Sequence, residues 1–186
     1  MNKIIIITAP SGAGKTSITH HLLTHFPQLV FSVSATTRLP RGNEVHGKDY
    51  YFLPQEEFKQ HIENNNFLEW EMVYEGKYYG TLKSEIERIW KNNQTPVLDI
   101  DVKGAIHVQN QFKSNCISIF IQPPSIESLR ERLISRGTDS LDNIETRINK
   151  AAYEISFKQH FTYCIVNEQL QQACLAAEKI IADFLT

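Results

Sequence analysis

The sequence predicts an α/β fold: a parallel sheet covered by helices on both faces, with a small mixed β block inserted into it. Three observations carry this. Short apolar runs without alternation, such as Ile4-Ile5-Ile6-Ile7 and Cys116-Ile117-Ser118-Ile119-Phe120-Ile121, recur along the chain, as strands buried on both faces do. Segments of helical spacing separate these runs, which implies right-handed crossovers and a parallel sheet. From Ala35 to about Tyr79 the texture changes to alternating polar and aromatic residues with charged turns, a pattern unlike a βαβ unit.

The elements follow in order. Residues 3–8 read as a buried strand and 15–25 as the helix after it, ended by Pro27. Residues 29–34 form a second strand. Inside the inserted block, Tyr50-Tyr51-Phe52-Leu53 reads as a strand, Pro54 opens a helix from Gln55 to about Asn64, Phe67–Val73 alternates at period two, and Lys77–Gly80 closes the block. Helix periodicity resumes at 83–92. A strand over Thr95–Asp101 precedes a helix at 103–113, and Cys116–Ile121 is the next strand. Pro123-Pro124 stops it, and Ser125 is a suitable N-cap for a helix over 126–136. A polar turn over 137–140 leads to a helix from Leu141 to about Phe157, a last strand at 163–166 and a closing amphipathic helix from Glu168 to Leu185. There are no internal repeats and no low-complexity segments.

The bulk numbers exclude some functions. The chain has 186 residues, 41% hydrophobic and 22% charged, which suits one globular domain. A net charge of −2 gives no field that gathers nucleic acid or anionic membrane, so neither is expected as a partner. The N-terminal isoleucine run is too short for a signal h-region or a membrane span. Three cysteines, an odd count, indicate reduced thiols and a cytoplasmic protein.

The chemistry is concentrated in a few places. Ala9-Pro10-Ser11-Gly12-Ala13-Gly14-Lys15-Thr16 stands between a strand and a helix, which is the context of a P-loop. Backbone N–H groups of such a loop turn inward around phosphate oxygens, and the helix N-terminus adds partial positive charge. Lys15 would reach the β- and γ-phosphates, and the Thr16 hydroxyl would ligate Mg²⁺. Ala9 stands where the motif has glycine, which strains the loop only if its φ is positive. Asp99, on an apolar strand, suits a Mg²⁺ partner, and Asp101 is expected on the same side. Ser34, Arg38 and Arg41 with Tyr50 and Tyr79 suggest a second phosphate site. Glu69, in a hydrophobic strand, could accept two N–H bonds from a guanine edge, which adenine does not offer. Arg130, Arg132, Arg136 and Arg147 form a third basic cluster, suited to stabilising charge on a transferring group or simply to solvation. His20, His21 and His25 lie on the first helix; His21 and His25 have the spacing of paired metal ligands, but no third ligand is evident, so they read as facing solvent.

Over its whole length the chain resembles guanylate kinase. The motifs are Ala9–Ser17, Phe31-Ser-Val-Ser-Ala-Thr-Thr-Arg38-Leu-Pro-Arg41, Glu44-Val-His-Gly-Lys-Asp-Tyr50-Tyr-Phe, Phe67-Leu-Glu69-Trp, Tyr78-Tyr79-Gly80-Thr81, Leu98-Asp99-Ile-Asp101, Arg136-Gly-Thr and Ile165-Val-Asn167. The resemblance implies a P-loop NTPase core (1–34, 82–124 and 157–186), a nucleoside-monophosphate-binding subdomain at 35–81 and a helical lid at 125–156. It implies ATP bound by Ser11, Gly12, Ala13, Gly14, Lys15, Thr16 and Ser17, with Asn167 near the adenine. Ser34, Glu69 and Thr81 would contact guanine, with Asp101 and Gly80 close by. Arg38, Arg41, Tyr50 and Tyr79 would hold the GMP phosphate, and Glu44 would brace the arginines. Lys15, Arg132, Arg136 and Arg147 would act on the transferring phosphoryl group, with Mg²⁺ at Thr16 and Asp99. The implied reaction is transfer from MgATP to GMP or dGMP, by a monomer or a homodimer. Three residues depart from the pattern: Ala9 for glycine, Lys103 for glutamine and Thr81 for serine. Two rivals remain at this point, a phosphopeptide-binding module without catalysis and a kinase of sugar phosphates.

Overall fold

The isoleucine run forms β1 (Ile4–Thr8), with every residue buried. The structure is a computed structural model and describes residues 2–137 and 141–186, so most of the expected turn over 137–140 lies outside the described residues. After β1 come α1 (Lys15–His25), β2 (Leu29–Phe31), β3 (Ala35–Thr36), β4 (Tyr51–Phe52), α2 (Gln55–Glu63), β5 (Phe67–Tyr74) and β6 (Lys77–Leu82). Next are α3 (Lys83–Lys91), β7 (Thr95–Asp99), α4 (Val102–Phe112), β8 (Cys116–Gln122), α5 (Ile126–Arg136), α6 (Leu141–Ile155), β9 (Tyr163–Val166) and α7 (Leu170–Leu185).

Five strands make one parallel sheet in the order β2-β7-β1-β8-β9, with β1 at its centre. Alternation on β1 divides its isoleucines between two cores. Ile5 and Ile7 pack with α1 and α7 through Ile18, Leu22, Ala177 and Ile181. Ile4 and Ile6 pack with α3 and α4 through Ile86, Ala105 and Val108. Burying each isoleucine contributes about 1.5–3 kcal/mol, so this short strand anchors both faces.

The inserted block makes a second sheet, β4-β3-β6-β5, of mixed direction. Its own small core is Ala35, Phe58 and Phe67, with the two phenylalanine rings stacked at 4.3 Å. The helices α5 and α6 pair through Leu129, Leu133, Ile144, Ile148 and Ala151, a cluster separate from both faces of the main sheet. Ser125 caps α5 as expected, its hydroxyl accepting from the Ser128 N–H at 3.0 Å.

Two expected strands end early. Residues 29–34 were expected to run as one strand, but β2 stops at Phe31. The Ser32 N–H makes a last bond to the Val97 carbonyl, and Ala35 already pairs with Gly80 in the second sheet. The crossing at 32–34 is held by Glu85 of α3, which is only 3% exposed. Its carboxylate accepts from the Val33 N–H, the Tyr51 hydroxyl and Arg88. Burial alone would raise Glu85, but these donors keep it below the usual carboxylate range. Likewise β7 stops at Asp99, and Asp101 is the N-cap of α4, accepting from the Gly104 N–H at 2.7 Å. Asp101 faces the same cavity as Asp99 because of that cap, not because the strand continues.

Candidate active site

The loop after β1 turns tightly. Gly12 and Gly14 adopt φ of +92° and +98°, a region that side chains rarely enter, while Ala9 is not among the positive-φ residues. The Ala9 methyl is 9% exposed and packs into the core under the sheet, so it does not strain the loop. Gly14 is required twice over: a Cβ there would lie 2.2 Å from Asn167 Nδ2. Asn167 sits beneath the loop, 4% exposed, and donates from Nδ2 to the Ala13 carbonyl at 2.7 Å. Its backbone carbonyl accepts from Arg132 of α5 at 2.9 Å. Asn167 thus ties the loop to α5, and it is not among the residues lining the cavity on the other side of the loop.

Lys15 opens α1 and pairs with Asp99 at the end of β7. Thr16 and Ser17 are exposed beside it. Arg147 of α6 donates to the Ser11 hydroxyl, so the α5–α6 pair reaches the loop directly through Arg147 and the asparagine beneath it through Arg132. Arg130 is instead paired with Glu145 and joins α5 to α6. The Arg136 side chain lies outside the described residues.

The loop forms one wall of a cavity of 420 Å³, and the second sheet forms the opposite wall. Ser11, Gly12, Gly14, Lys15, Thr16, Ser17, Asp99 and Asp101 face Ser34, Tyr50, Glu69, Tyr79 and Gly80 across it. Glu69 is 8% exposed. Its Oε1 accepts from the Thr81 hydroxyl at 2.6 Å, and Thr81 is itself buried. Burial pushes the Glu69 carboxyl up to about 7, against the Thr81 bond that lowers it and with Asp101 nearby adding to the rise. Gly104 of α4 leaves room for this carboxylate, since a Cβ there would stand 2.7 Å from Oε2.

Arg38 is held from three sides. Both its terminal nitrogens donate to Glu44, at 2.6 and 2.7 Å, a bidentate pairing. Its guanidinium also lies 4.8 Å from the Tyr50 ring centroid and 5.6 Å from that of Phe52. The Arg38 pairing holds Glu44 down to about 2, with the Arg41 N–H adding to it, and the same pairing raises Arg38 above its usual value. Arg41 gives Glu44 only its backbone N–H, at 2.8 Å, and is itself exposed. Glu44 therefore braces both arginines, one by side chain and one by main chain. Tyr50 and Tyr79 stand edge to face at 6.0 Å.

Sequence reasoning missed two cavity residues on α6. Lys150 and Glu154 line the cavity, and burial raises the Glu154 carboxyl above its usual value. Their i,i+4 spacing was the available signal, but it is indistinguishable from an ordinary surface pair.

Comparisons with known proteins agree with this geometry. The family model described as guanylate kinase matches residues 1–184. A protein named guanylate kinase from Bacteroides fragilis is 49% identical over 183 residues, covering 98% of this chain and 90% of that one. One from Porphyromonas gingivalis is 48% identical over 186 residues, covering 100% and 99%. The crystal structure of guanylate kinase from Anaplasma phagocytophilum superposes with a TM-score of 0.77 at 32% identity, covering 97% of this chain and 85% of that one. With its glycine loop, its paired sheets and matches that span nearly its whole length, the chain belongs to the guanylate kinase family.

Proposed function

We propose that the chain transfers the γ-phosphoryl group of ATP to GMP or dGMP, giving ADP and GDP or dGDP. The observation that carries this is the shared cavity: Lys15 and Thr16 stand on one wall and the buried Glu69 on the other. The donor nucleotide takes the wall made by residues 11–17. The acceptor takes the wall made by the second sheet, with 35–81 as its binding subdomain and 125–156 as the lid.

A phosphate oxygen of GMP attacks the γ-phosphorus, and the bond from that phosphorus to the ADP oxygen breaks. The nucleophile is already an anion, so no general base is needed. The work is positioning and charge compensation. Arg38, Arg41, Tyr50 and Tyr79 orient the GMP phosphate. Ser34, Glu69 and Thr81 orient the base, and a guanine edge gives Glu69 the donors that burial has withheld from it. Lys15 first parts from Asp99 and turns to the β- and γ-phosphates. That movement frees the Asp99 carboxylate, which with the Thr16 hydroxyl makes a set of hard oxygen donors suited to Mg²⁺. Mg²⁺ held by these two residues would neutralise charge on the donor phosphates. Arg132, Arg136 and Arg147 bring further positive charge as α5 and α6 close and exclude water. Asn167 acts by supporting the loop that holds the phosphates.

Neither nucleic acid nor a membrane has a part in this scheme; among the described residues no helix is long and apolar enough to cross a membrane. We place the activity in the cytoplasm, where both nucleotides occur and where Cys116, Cys164 and Cys174 remain free thiols. The reaction needs only one copy of the chain. The test is an acceptor comparison with MgATP. GMP and dGMP should give ADP, while AMP, UMP and sugar phosphates should not; comparable turnover with AMP or a sugar phosphate would refute the proposal.

A further inference from the structure

On the α1–α7 side of the main sheet, away from the nucleotide cavity, three potential ligands converge. His21 and His25 lie one turn apart on α1, with rings stacked at 4.0 Å between centroids. Glu178 of α7 faces both. Its Oε1 is hydrogen bonded to His21 Nε2 and lies 3.9 Å from His25 Nε2. The third ligand that the α1 sequence did not reveal therefore comes from a helix 157 residues further along the chain.

The His25 ring is already oriented. Its Nδ1 lies 2.8 Å from the His21 carbonyl, which can only accept, so Nδ1 carries the proton. The neutral ring then presents its lone pair at Nε2, on the side of Glu178. A backbone carbonyl behind a histidine is the usual arrangement that fixes the tautomer of a metal-binding ring. The ligand atoms of His21, His25 and Glu178 all lie within 4.8 Å of one another. A tetrahedral ion with bonds of about 2.0–2.1 Å separates its ligands by about 3.3 Å, so side-chain adjustments of about an ångström would complete the shell. The side chains are 29%, 51% and 26% exposed, which lets an ion reach them and leaves a coordination position to water.

We propose that His21, His25 and Glu178 bind a divalent transition ion of the zinc class, which clasps α1 to α7. Two imidazole nitrogens and one carboxylate suit Zn²⁺ and exclude Mg²⁺, which requires an all-oxygen octahedral shell. A simple ion pair would account for His21 with Glu178. It would not account for a second ring stacked on the first, held in one tautomer and turned to the same oxygen. The ion would join the helix that begins at Lys15 to the last helix of the chain, without touching the nucleotide cavity.

The test is a Zn²⁺ titration by calorimetry in excess Mg²⁺, comparing the natural chain with His21→Ala/His25→Ala and with Glu178→Gln. The exposed Cys164 thiol is present in all three, so the difference between them reports this site. The natural chain should bind one equivalent more than the double variant. Loss of an outer-sphere partner alone weakens metal affinity about 10–100-fold, so Glu178→Gln should lose at least tenfold. Zn²⁺ should also raise the Tm of the natural chain and not that of the double variant. Metal-free Tm values show whether each variant is folded, and Glu178→Gln, which keeps the size of the side chain, serves if the double variant is not. Equal Zn²⁺ binding by the natural chain and the folded variants, or displacement of the extra equivalent by Mg²⁺, would overturn the site.

Discussion

In the proposed reaction the loop at residues 9–15 would meet its ligand with backbone, whereas the block at 35–82 would meet it with side chains. In the first, two glycines at positive φ shape a tight turn along the cavity wall, and a buried asparagine holds the Ala13 carbonyl from below. In the second, a buried carboxylate, a doubly paired arginine and two tyrosines are set on or beside the strands of a small separate sheet. Backbone donors respond to phosphate charge and are indifferent to the base. Side chains can distinguish one base from another, because a mismatched base leaves a buried polar group unpaired. On this proposal the donor half is generic and the acceptor half selective, although residues of both line the same 420 Å³.

Substitutions can break this division. The largest effect is expected from Lys15→Ala, the main side-chain contribution of the donor half: turnover should fall on the order of 10³-fold, while GMP binding, measured by calorimetry, stays within about twofold. Near-normal turnover would remove the donor role of the loop. Next is Glu69→Ala, which should weaken GMP by about 2–4 kcal/mol and leave ATP almost unchanged. An equal loss for both nucleotides would show that the two halves are not separable.

Glu69 also makes the division visible through pH. The folded chain keeps the carboxyl protonated up to about 7, whereas the unfolded chain loses that proton near 4.5. The stability this group gives is therefore full below about 4.5 and is lost as pH rises through about 7, about 3 kcal/mol in all. Denaturant titrations of the ligand-free chain should show that decline, and Glu69→Gln should flatten it. GMP should act in the opposite sense, since its N–H donors favour the carboxylate, so GMP affinity should rise with pH over the same interval. The smallest effect is expected at Ala9. Because this residue has no positive φ, Ala9→Gly should leave the ATP KM within about twofold and cost roughly 0.5–1 kcal/mol of stability, as read from Tm and denaturant midpoints.

The same division explains what was legible beforehand. The donor half is a contiguous motif, and its strand, loop and helix fall where periodicity and glycine spacing put them. Ser125 caps α5 because capping is also local. The acceptor half is dispersed: side-chain chemistry, not periodicity, singled out Ser34, Glu69 and Tyr79, and the resemblance to a family joined them into one site. What escaped was decided by tertiary pairing. The point at which residues 29–36 leave one sheet for another depends on which carbonyl Ser32 meets, and Val97 lies more than sixty residues on. Asp101 as a helix cap, Asn167 as a support beneath the loop and Lys150 with Glu154 as cavity wall are all set by packing. None has a one-dimensional signature distinct from an exposed polar residue.

The central position of β1 has a consequence for synthesis. Its two neighbours in the sheet are β7 and β8, which begin at residues 95 and 116. At about 5–20 residues per second, a ribosome needs several seconds to pass from the first strand to either partner. Throughout that interval an uncharged isoleucine strand has no neighbour on either edge, and such a segment invites pairing with other chains. Sheet closure also spans a long stretch of sequence, which slows folding. The nascent chain thus carries its nucleotide loop from the start but cannot flank the strand beneath it on both edges until Gln122 has been added, so chaperone dependence should be greatest in the first two thirds of translation.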